Sequence, residues 1–394
     1  MGTRDIWFLH ASTFLFFLGM AVVNPIISPF VINLGADPLL VGTVAAVASI
    51  VSLMFKPFGG FLGDRGLKFH MMALGSLLGA VGGVLYMISA FSSNLWIFAF
   101  GRAVHGFGMA LFFPSSLASA IDLAPEGEVG ATLGWRGMMF SMGNLVGPGI
   151  GGYAAQFFGF NAVFALTVTL SIAAIAFVFA AYRRTGVYVS TGGEGRRGKA
   201  DYRHLLMPFF VAASLALFFM SFTYGGLMTF LPAFYAKLGF GTGVFGLYAS
   251  VMGGASLVTR VFGGKEADRR GPLPVVTVGL FMVLLSYVAL DGYMQPPMSY
   301  ISAILLGAGF GFAVPALQVM ALARLPQGIR TVGSGIYTMF FDLGYLSGPI
   351  ILGYVAKVRG YSAVFPILPF ILLASLLVAQ LPRFLRESKE LGGG

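Results

Sequence analysis

Residues 143–153 read GNLVGPGIGGY, and residues 344–354 read GYLSGPIILGY. Each copy has two glycines four residues apart, a proline directly after the second glycine, and a final Gly-Tyr pair. The register then stays constant, because Ala155, Gly159, Ala162, Val163 and Phe164 recur as Ala356, Gly360, Ala363, Val364 and Phe365. Apolar segments that resemble each other by chance rarely keep their glycines aligned, so the chain contains an internal repeat.

Two further pairs of segments support this repeat. Residues 60–66 (GFLGDRG) correspond to 264–271 (GKEADRRG), and 106–110 (GFGMA) correspond more weakly to 309–313 (GFGFA). All three pairs relate the first half of the chain to the second half in the same order. Parallel repeats of six helices around an axis normal to the membrane describe one transporter architecture.

The composition excludes a soluble protein. Of the 394 residues, 57% are hydrophobic and 10% are charged, against about 25% charged in soluble domains. The apolar runs continue to the C-terminus, which a secretory protein with one signal peptide would not show. With no cysteine, disulfides and thiolate metal sites are impossible. The net charge of +10 is spread over short segments between apolar runs, which favours loops on one side of a membrane over nucleic-acid binding.

The apolar runs predict an all-α membrane protein with twelve transmembrane helices in two six-helix bundles. A helix needs about 20 apolar residues to cross a bilayer, and the chain has twelve such runs: 7–32, 39–62, 70–91, 94–121, 130–156, 161–182, 205–235, 243–263, 273–291, 299–323, 331–355 and 362–382. The predicted division is an N-terminal bundle at 1–182, a cytoplasmic linker at 183–204, and a C-terminal bundle with a short cytoplasmic tail at 205–394. The linker is rich in Gly, Arg and Thr, which indicates a solvated tether or, alternatively, a regulatory or lipid-binding segment.

Lysine and arginine give the orientation. One set of loops carries most of them, whereas the opposite set carries Lys237, Lys357 and Arg359 alone. Because basic loops stay in the cytoplasm, we expect both termini inside a cell (inner or plasma) membrane.

Three motifs now point to a family. The chain resembles the major facilitator superfamily along its whole length, since residues 60–66 are similar to its loop signature and Arg102-x-x-x-Gly106-x-Gly108 to its signature in span four. Residues 143–152 resemble the span-five signature of the drug:proton antiporter branch. The loop signature departs slightly, with one residue fewer before its last glycine and Leu67-Lys68 where two basic residues are usual.

The Asp-Arg segments and the Gly-Pro segments have different expected roles. We interpret Asp64, Arg65, Asp268 and Arg269 as a conformational latch in two cytoplasmic loops, the alternative being plain loop solvation. Small residues one turn apart let helices approach closely, and proline bends them. Helix packing is therefore expected at six positions: Gly143, Gly147, Pro148, Gly344, Gly348 and Pro349. By resemblance, this motif also seals an exporter against leakage.

Ionisable residues inside spans are costly and usually functional. Asp342 lies centrally in span eleven and is expected to carry a proton or cation, unless it forms a fixed salt bridge. Arg102 matches the position that the family links to proton coupling, although carbonyls could satisfy it structurally. His105 can titrate near neutral pH but could equally be structural. Lys56 and Arg260 lie near the cytoplasmic ends of their spans, from which long basic side chains can snorkel to the surface.

By resemblance, spans one, four, seven and ten line the substrate cavity. The residues they offer are Asn24, Phe17, Tyr224, Phe230, Phe310, Gln318 and Met320. Many members of the exporter branch carry an acidic residue in span one, but here none follows Asp5. This departure weakens the hypothesis that the protein exports lipophilic cations, and an anionic, zwitterionic or neutral substrate remains an alternative.

The resulting functional prediction is a proton-coupled exporter of a small organic molecule that works by alternating access. Alternatives are a uniporter or importer of a sugar or organic anion, a channel, and a non-transporting receptor. The sequence predicts no enzyme, no cofactor, no metal and no nucleic-acid partner, since it lacks the clustered ligands that such chemistry needs. The expected partners are the substrate, protons or Na⁺, and the lipid bilayer, and we expect a monomer.

Overall fold

The computed structural model describes residues 3–36, 38–183, 201–240 and 242–391, and within these ranges it is almost entirely helical, without β-strands. We label its twelve long helices α1 (Thr3–Ala21), α2 (Pro38–Leu62), α3 (Lys68–Ser92), α4 (Leu95–Asp122), α5 (Val129–Phe158), α6 (Phe160–Ala181), α7 (Pro208–Lys237), α8 (Thr242–Arg270), α9 (Pro272–Gly292), α10 (Ser299–Leu322), α11 (Arg330–Arg359) and α12 (Leu368–Leu391). Each coincides with one predicted apolar run, which confirms the all-α fold with twelve spans.

Several short elements join these helices. The first span is completed by a 3-10 turn at Asn24–Ile26 and a short helix at Ile27–Asn33. The break falls at Pro25, which has no backbone N–H for the helical ladder. A π-helical segment, Gly63–Leu67, links α2 to α3, and Gly66 within it has a φ of 87°.

Length and hydropathy support membrane crossing. Ten described stretches are long and apolar enough to span a bilayer, and one of them, Thr43–Ser92, holds most of α2 and all of α3 in its 50 residues. Helix α5 is not among the ten, but its 30 residues exceed the roughly 20 that a span requires. Several of its glycines, namely Gly130, Gly134, Gly143 and Gly147, make close contacts with other helices. The chain is a multi-pass membrane protein.

Some helix ends differ from the predicted runs. Helix α8 continues past residue 263 to Arg270, so Asp268 lies in the last turn of a helix rather than in a loop. Helix α12 continues past residue 382 to Leu391 through a polar segment. Hydropathy predicts where a helix leaves the apolar layer, whereas the helix itself ends where its hydrogen bonding stops. Of the predicted linker at 183–204, residues 184–200 lie outside the described residues.

Contacts divide the chain into two units. Unit 1 comprises residues 1–125, 136–200 and 326–336, and unit 2 comprises 126–135, 201–325 and 337–394. The first turns of α5 thus belong to unit 2 and those of α11 to unit 1, while the remainder of each helix belongs to the other unit. The predicted domain boundaries on either side of 183–204 stay a prediction.

The two units have different interiors. Unit 1 packs Phe30, Tyr86, Phe98 and Phe164 around one another, with ring centroids 4.7 to 6.1 Å apart. Unit 2 instead buries tyrosines whose hydroxyl groups are hydrogen-bonded to serine or threonine. These pairs are Tyr235 to Ser299 (2.8 Å), Tyr248 with Ser302 (2.8 Å) and Tyr287 to Thr223 (3.0 Å). Each bond satisfies a hydroxyl that would be costly to bury alone.

Candidate functional site

Two aspartates bind the N-terminal ends of helices. In unit 1, the carboxylate of Asp64 accepts hydrogen bonds from the backbone N–H groups of Thr331 (2.7 Å) and Val332 (2.8 Å), at the start of α11. In unit 2, the carboxylate of Asp268 accepts them from Gly130 (2.6 Å) and Ala131 (2.7 Å), at the start of α5. A negative charge there meets both the unsatisfied N–H groups and the positive end of the helix dipole.

Close backbone contacts accompany both bonds. A Cβ atom added to Gly130 would collide with the carbonyl oxygen of Gly264, and one added to Gly60 would lie 2.8 Å from the carbonyl oxygen of Thr331. One turn further on, a Cβ on Gly134 would lie 2.8 Å from the carbonyl of Arg260, and a Cβ on Gly335 equally close to that of Lys56. Glycine at these positions allows α5 to approach α8 and α11 to approach α2.

An ionic network surrounds the first of these contacts. The carboxylate of Asp122, at the end of α4, pairs with both Lys68 and Arg330, and the exposed side-chain fractions of the three are 0%, 5% and 13%. The latch arginines, Arg65 and Arg269, are not part of this network. Arg65 and Arg269 are exposed, and the guanidinium of Arg65 lies 4.3 Å from the Phe61 ring centroid. The aspartates, not these arginines, bridge to neighbouring helices.

The glycines of the Gly-Pro segments pack against other helices. A Cβ on Gly143 would lie 2.8 Å from the backbone nitrogen of Leu18 in α1, and a Cβ on Gly147 would strike Ala21. In the second repeat, Gly344 and Gly348 pack against the carbonyl groups of Phe218 and Phe222 in α7. Pro148 and Pro349 lie inside α5 and α11, each directly after the second glycine.

Asp342 is half-buried in the middle of α11, within unit 2. It precedes Gly344 by two residues, which corresponds to about 200° around the helix axis. Since Gly344 packs on α7, the carboxylate lies on a different face of α11. In the described part of the chain, α11 is the one long helix with an acidic residue away from both of its ends.

Arg102 and His105 are both buried in α4, in unit 1. A guanidinium NH₂ group of Arg102 donates to the carbonyl of Ala45 in α2 (2.9 Å). His105 Nδ1 lies 2.9 Å from the hydroxyl of Tyr86, a fully buried residue of α3 that the sequence analysis does not single out. In the described structure His105 Nε2 has no hydrogen-bond partner. Helix periodicity alone places Arg102 near His105, one turn away on α4. It does not predict the contact with Tyr86, which lies on another helix.

The predicted cavity residues fall into several groups. The rings of Tyr224 and Phe310 pack against each other within unit 2 at a tilt of 49°, with centroids 4.9 Å apart, and the ring of Tyr345 lies 5.8 Å from that of Tyr224. Phe17 belongs to an aromatic cluster of unit 1, and Phe230 stacks on Tyr361 at 6.3 Å. Asn24 is exposed, whereas Gln318 and Met320 are buried.

The side chains of Lys56 and Arg260 do not reach the surface, contrary to the prediction that they can snorkel. Their exposed fractions are 3% and 9%, so neither side chain snorkels to the surface. The reason is the close approach of the helices, in which Gly335 and Gly134 pack on the carbonyl groups of these two residues. The register of the aspartate repeat aligns Lys56 with Arg260, and this signal could have identified both as buried. No group of histidine, cysteine or acidic residues that could hold a metal ion occurs among the described residues.

The chain is similar in sequence to two named resistance proteins. The chain is 28% identical over 375 residues to the multi-drug resistance efflux pump PmrA of Streptococcus pneumoniae, covering 92% of this chain and 91% of the pump. It is 26% identical over 402 residues to the multidrug resistance protein MdtG of Dickeya zeae, covering 98% and 96%.

Solved structures share the fold. The human organic anion transporter MFSD10 superposes with a TM-score of 0.79 at 15% identity, covering 96% of this chain and 100% of the transporter. The proton:xylose symporter XylE superposes with a TM-score of 0.76 at 14% identity, covering 95% and 94%. The family model of the Major Facilitator Superfamily matches residues 9–349, and the chain therefore belongs to this superfamily of transporters.

Proposed function

We propose that this protein is a proton-coupled exporter of a small organic molecule that works by alternating access. The supporting observation is the pair of aspartates, Asp64 and Asp268, which bind the starts of α11 and α5 in the same way. Both helices begin in one unit and continue in the other. A carboxylate that holds such a helix start in one conformation and releases it in another is a suitable latch between two states.

Export is favoured over import by the relatives. PmrA is named as an efflux pump and MdtG as a multidrug resistance protein, and each is matched over more than nine tenths of this chain. The Gly-Pro segment that resembles the drug:proton antiporter signature packs α5 on α1. XylE and MFSD10 support the fold alone, because their identities to this chain are 14% and 15%.

Asp342 is our candidate for the residue that carries the coupling proton. A carboxylate in the middle of a membrane helix is costly and is usually retained for transport. Arg102 and His105, in unit 1, are our further candidates for residues that take part in proton coupling. The trio of Arg102, His105 and Tyr86 offers a second place where a proton could be held, since Tyr86 bonds directly to the imidazole.

Transport in proteoliposomes tests the coupling. Purified protein is reconstituted, and ethidium, norfloxacin and 2-naphthalenesulfonate are tested as a cationic, a zwitterionic and an anionic probe. We expect a transported probe to accumulate against its gradient when a pH gradient is imposed, with movement of protons in the opposite direction. Probe and protons that move in the same direction would instead identify an importer, and movement without protons a uniporter.

The variant Asp342→Asn separates coupling from transport itself. The amide keeps the size of the side chain and removes its charge, so we expect exchange of probe for probe to continue while gradient-driven accumulation is lost. Asp291→Asn, at the end of α9, is the control. If Asp342→Asn accumulates the probe as the unmodified protein does, the proton carrier lies elsewhere and His105 is the next candidate. If it fails to fold, and a change at a basic residue restores it, the fixed salt bridge is correct.

We also propose that the protein is a monomer in the cell (inner or plasma) membrane with both termini in the cytoplasm. Single cysteines suit a chain that has none. Glu126 and Tyr293 are exposed in the α4–α5 and α9–α10 connections. A membrane-impermeant maleimide should label Glu126→Cys from the cytoplasmic side and Tyr293→Cys from the outside. Labelling in the reverse pattern would contradict this topology.

A further inference from the structure

Two buried cations lie on one aromatic ring in unit 1. The Lys56 ammonium is 5.2 Å and the Arg136 guanidinium 4.9 Å from the ring centroid of Phe113. The exposed fractions of Lys56 and Arg136 are 3% and 2%. Helices α2, α4 and α5 each contribute one of the three residues, so their convergence is a property of the fold and not of a local sequence motif.

Arg136 is held firmly in this position. Its Nε donates to the hydroxyl of Ser116 (3.2 Å), and one NH₂ group donates to the same hydroxyl (2.6 Å) and to the carbonyl of Phe113 (3.2 Å). These three bonds fix the plane of the guanidinium and hold the side chain in one place. Such preorganisation favours recognition of an anionic group.

An aromatic cluster extends from the same ring. The centroid of Phe17 lies 5.5 Å from that of Phe113 and 4.6 Å from that of Phe140, and Phe113 and Phe140 are 5.8 Å apart. Phe113 is half-buried in a stretch of α4, residues 111–121, that is otherwise buried. Because a ring that carries two cations is poorly suited to face lipid tails, we assign its open side to the transport pathway.

The charge inside the helices is strongly unbalanced. In the described chain, buried basic side chains occur more than one turn from the helix ends at four positions: Lys56, Arg102, Arg136 and Arg260. Two half-buried acidic side chains lie in comparable positions of the described helices: Asp342 in α11, and Glu266, just over one turn from the end of α8, where it pairs with the exposed Arg270. A low-dielectric interior with excess positive charge attracts anions and opposes cations.

We infer that the transported substrate is an amphipathic anion: its carboxylate, sulfonate or phosphate group binds between Lys56 and Arg136, and its apolar part lies on Phe17, Phe113 and Phe140. This inference rests on the proposed transport function and specifies its substrate class. Lys56 and Arg136 also interact with other groups of the protein. The anion therefore binds by joining or exchanging existing partners, which keeps the buried cations compensated when the site is empty.

Binding to the purified full-length protein in detergent tests this inference. Two probes with the same ring and opposite charge are compared by calorimetry: 2-naphthalenesulfonate and 2-naphthyltrimethylammonium. We expect the sulfonate to bind at least about ten-fold more tightly, since bonds to a charged partner contribute that much or more. Equal affinities, tighter binding of the cation, or no binding of either probe would overturn the inference.

Three variants locate the site. Lys56→Gln should weaken sulfonate binding about ten-fold and leave binding of the cationic probe unchanged, and Arg136→Lys should weaken it less because the charge remains. Arg324→Gln is the matched control, since Arg324 also lies over a ring, that of Phe209 at 4.4 Å, but is exposed. Its sulfonate affinity should equal that of the unmodified protein. If Lys56→Gln binds the sulfonate normally while folding normally by circular dichroism, the site is wrong.

Failure of this inference and failure of the proposed function are distinguishable. The calorimetric measurement needs neither a membrane nor a pH gradient. Proton-driven export of ethidium with no preference for the sulfonate would overturn the substrate class and leave the exporter intact. Selective sulfonate binding without proton-linked transport would overturn the proposed proton-coupled exporter and leave the inferred substrate class intact.

Discussion

The two repeats build the same helix cap in different surroundings. Asp64 and Asp268 each accept two backbone N–H bonds within 2.6 to 2.8 Å. Beside Asp64, the Lys68–Asp122–Arg330 network also holds the start of α11. At the corresponding positions of the other repeat lie Leu273, Leu325 and Val129, which cannot form such a network. The cap is therefore the element that both repeats retain, and the ionic network is an addition to one of them.

This difference suggests a division of labour. A carboxylate at a helix start contributes modestly and can be broken and remade, since the N–H groups find water when it leaves. A fully buried Asp122 carboxylate between two cations is a different kind of contact, because separating these charges leaves each without compensation. We expect the Asp268 contact to open readily and the Asp64 contact to open only together with the ionic network.

The largest effect is expected from Asp122→Asn. It leaves Lys68 and Arg330 without their shared carboxylate and should lower the stability of the protein by about 3–5 kcal/mol. Thermal unfolding of the purified protein measures this, with Asp291→Asn as the control for loss of one acidic side chain. A melting temperature equal to that of the unmodified protein would show that the network does not stabilise unit 1.

Steric changes at the two helix contacts should come next. Gly130→Ala forces a methyl group onto the carbonyl of Gly264, and Gly60→Ala places one against Thr331 and Val332. Each should destabilise by about 1–3 kcal/mol, as overpacking does. Gly246→Ala in α8 meets no atom within 4 Å and should be neutral or slightly stabilising. If all three alanine variants melt alike, the close approach is not what these glycines provide.

Removing the caps should have a smaller effect that differs between repeats. Asp268→Asn removes the charge from a cap that no ionic network supports among the described residues, at about 0.3–1 kcal/mol, and should slow probe-for-probe exchange more than Asp64→Asn does. Equilibrium probe binding should change little in either, because both residues lie at helix ends. Equal slowing of exchange by the two variants would show that the Lys68–Asp122–Arg330 network does not hold the start of α11 when the Asp64 cap is lost. Loss of binding as complete as the loss of exchange would refute the latch.

The sequence was sufficient to predict the twelve helices and their repeat. The length of an apolar run and the spacing of its glycines are both visible within a short stretch of sequence. The sequence was not sufficient for the caps, since Asp64 and its partner Thr331 are far apart in the chain and belong to different halves. The burial of Lys56 was missed for a related reason. Its nearness to the end of α2 predicts snorkelling, and only the packing of Gly335 against its backbone shows that the side chain cannot reach water. Tyr86 had no sequence signal, since a tyrosine in an apolar helix is ordinary until His105 lies beside its hydroxyl.

The smallest effect is expected from the latch arginines, and it separates two explanations of the Asp-Arg repeat. If the arginines bridge to neighbouring helices, Arg65→Gln and Arg269→Gln should slow exchange as strongly as the aspartate variants. The structure shows both side chains exposed, with Arg65 on Phe61, and exposed charges contribute about 0–1 kcal/mol at most. We therefore expect exchange within about five-fold of the unmodified protein for either variant. What these arginines should change instead is orientation. Basic side chains at helix ends keep these ends in the cytoplasm, so the double variant should show a larger fraction of Glu126→Cys labelled from the outside, while exchange per correctly oriented molecule stays the same.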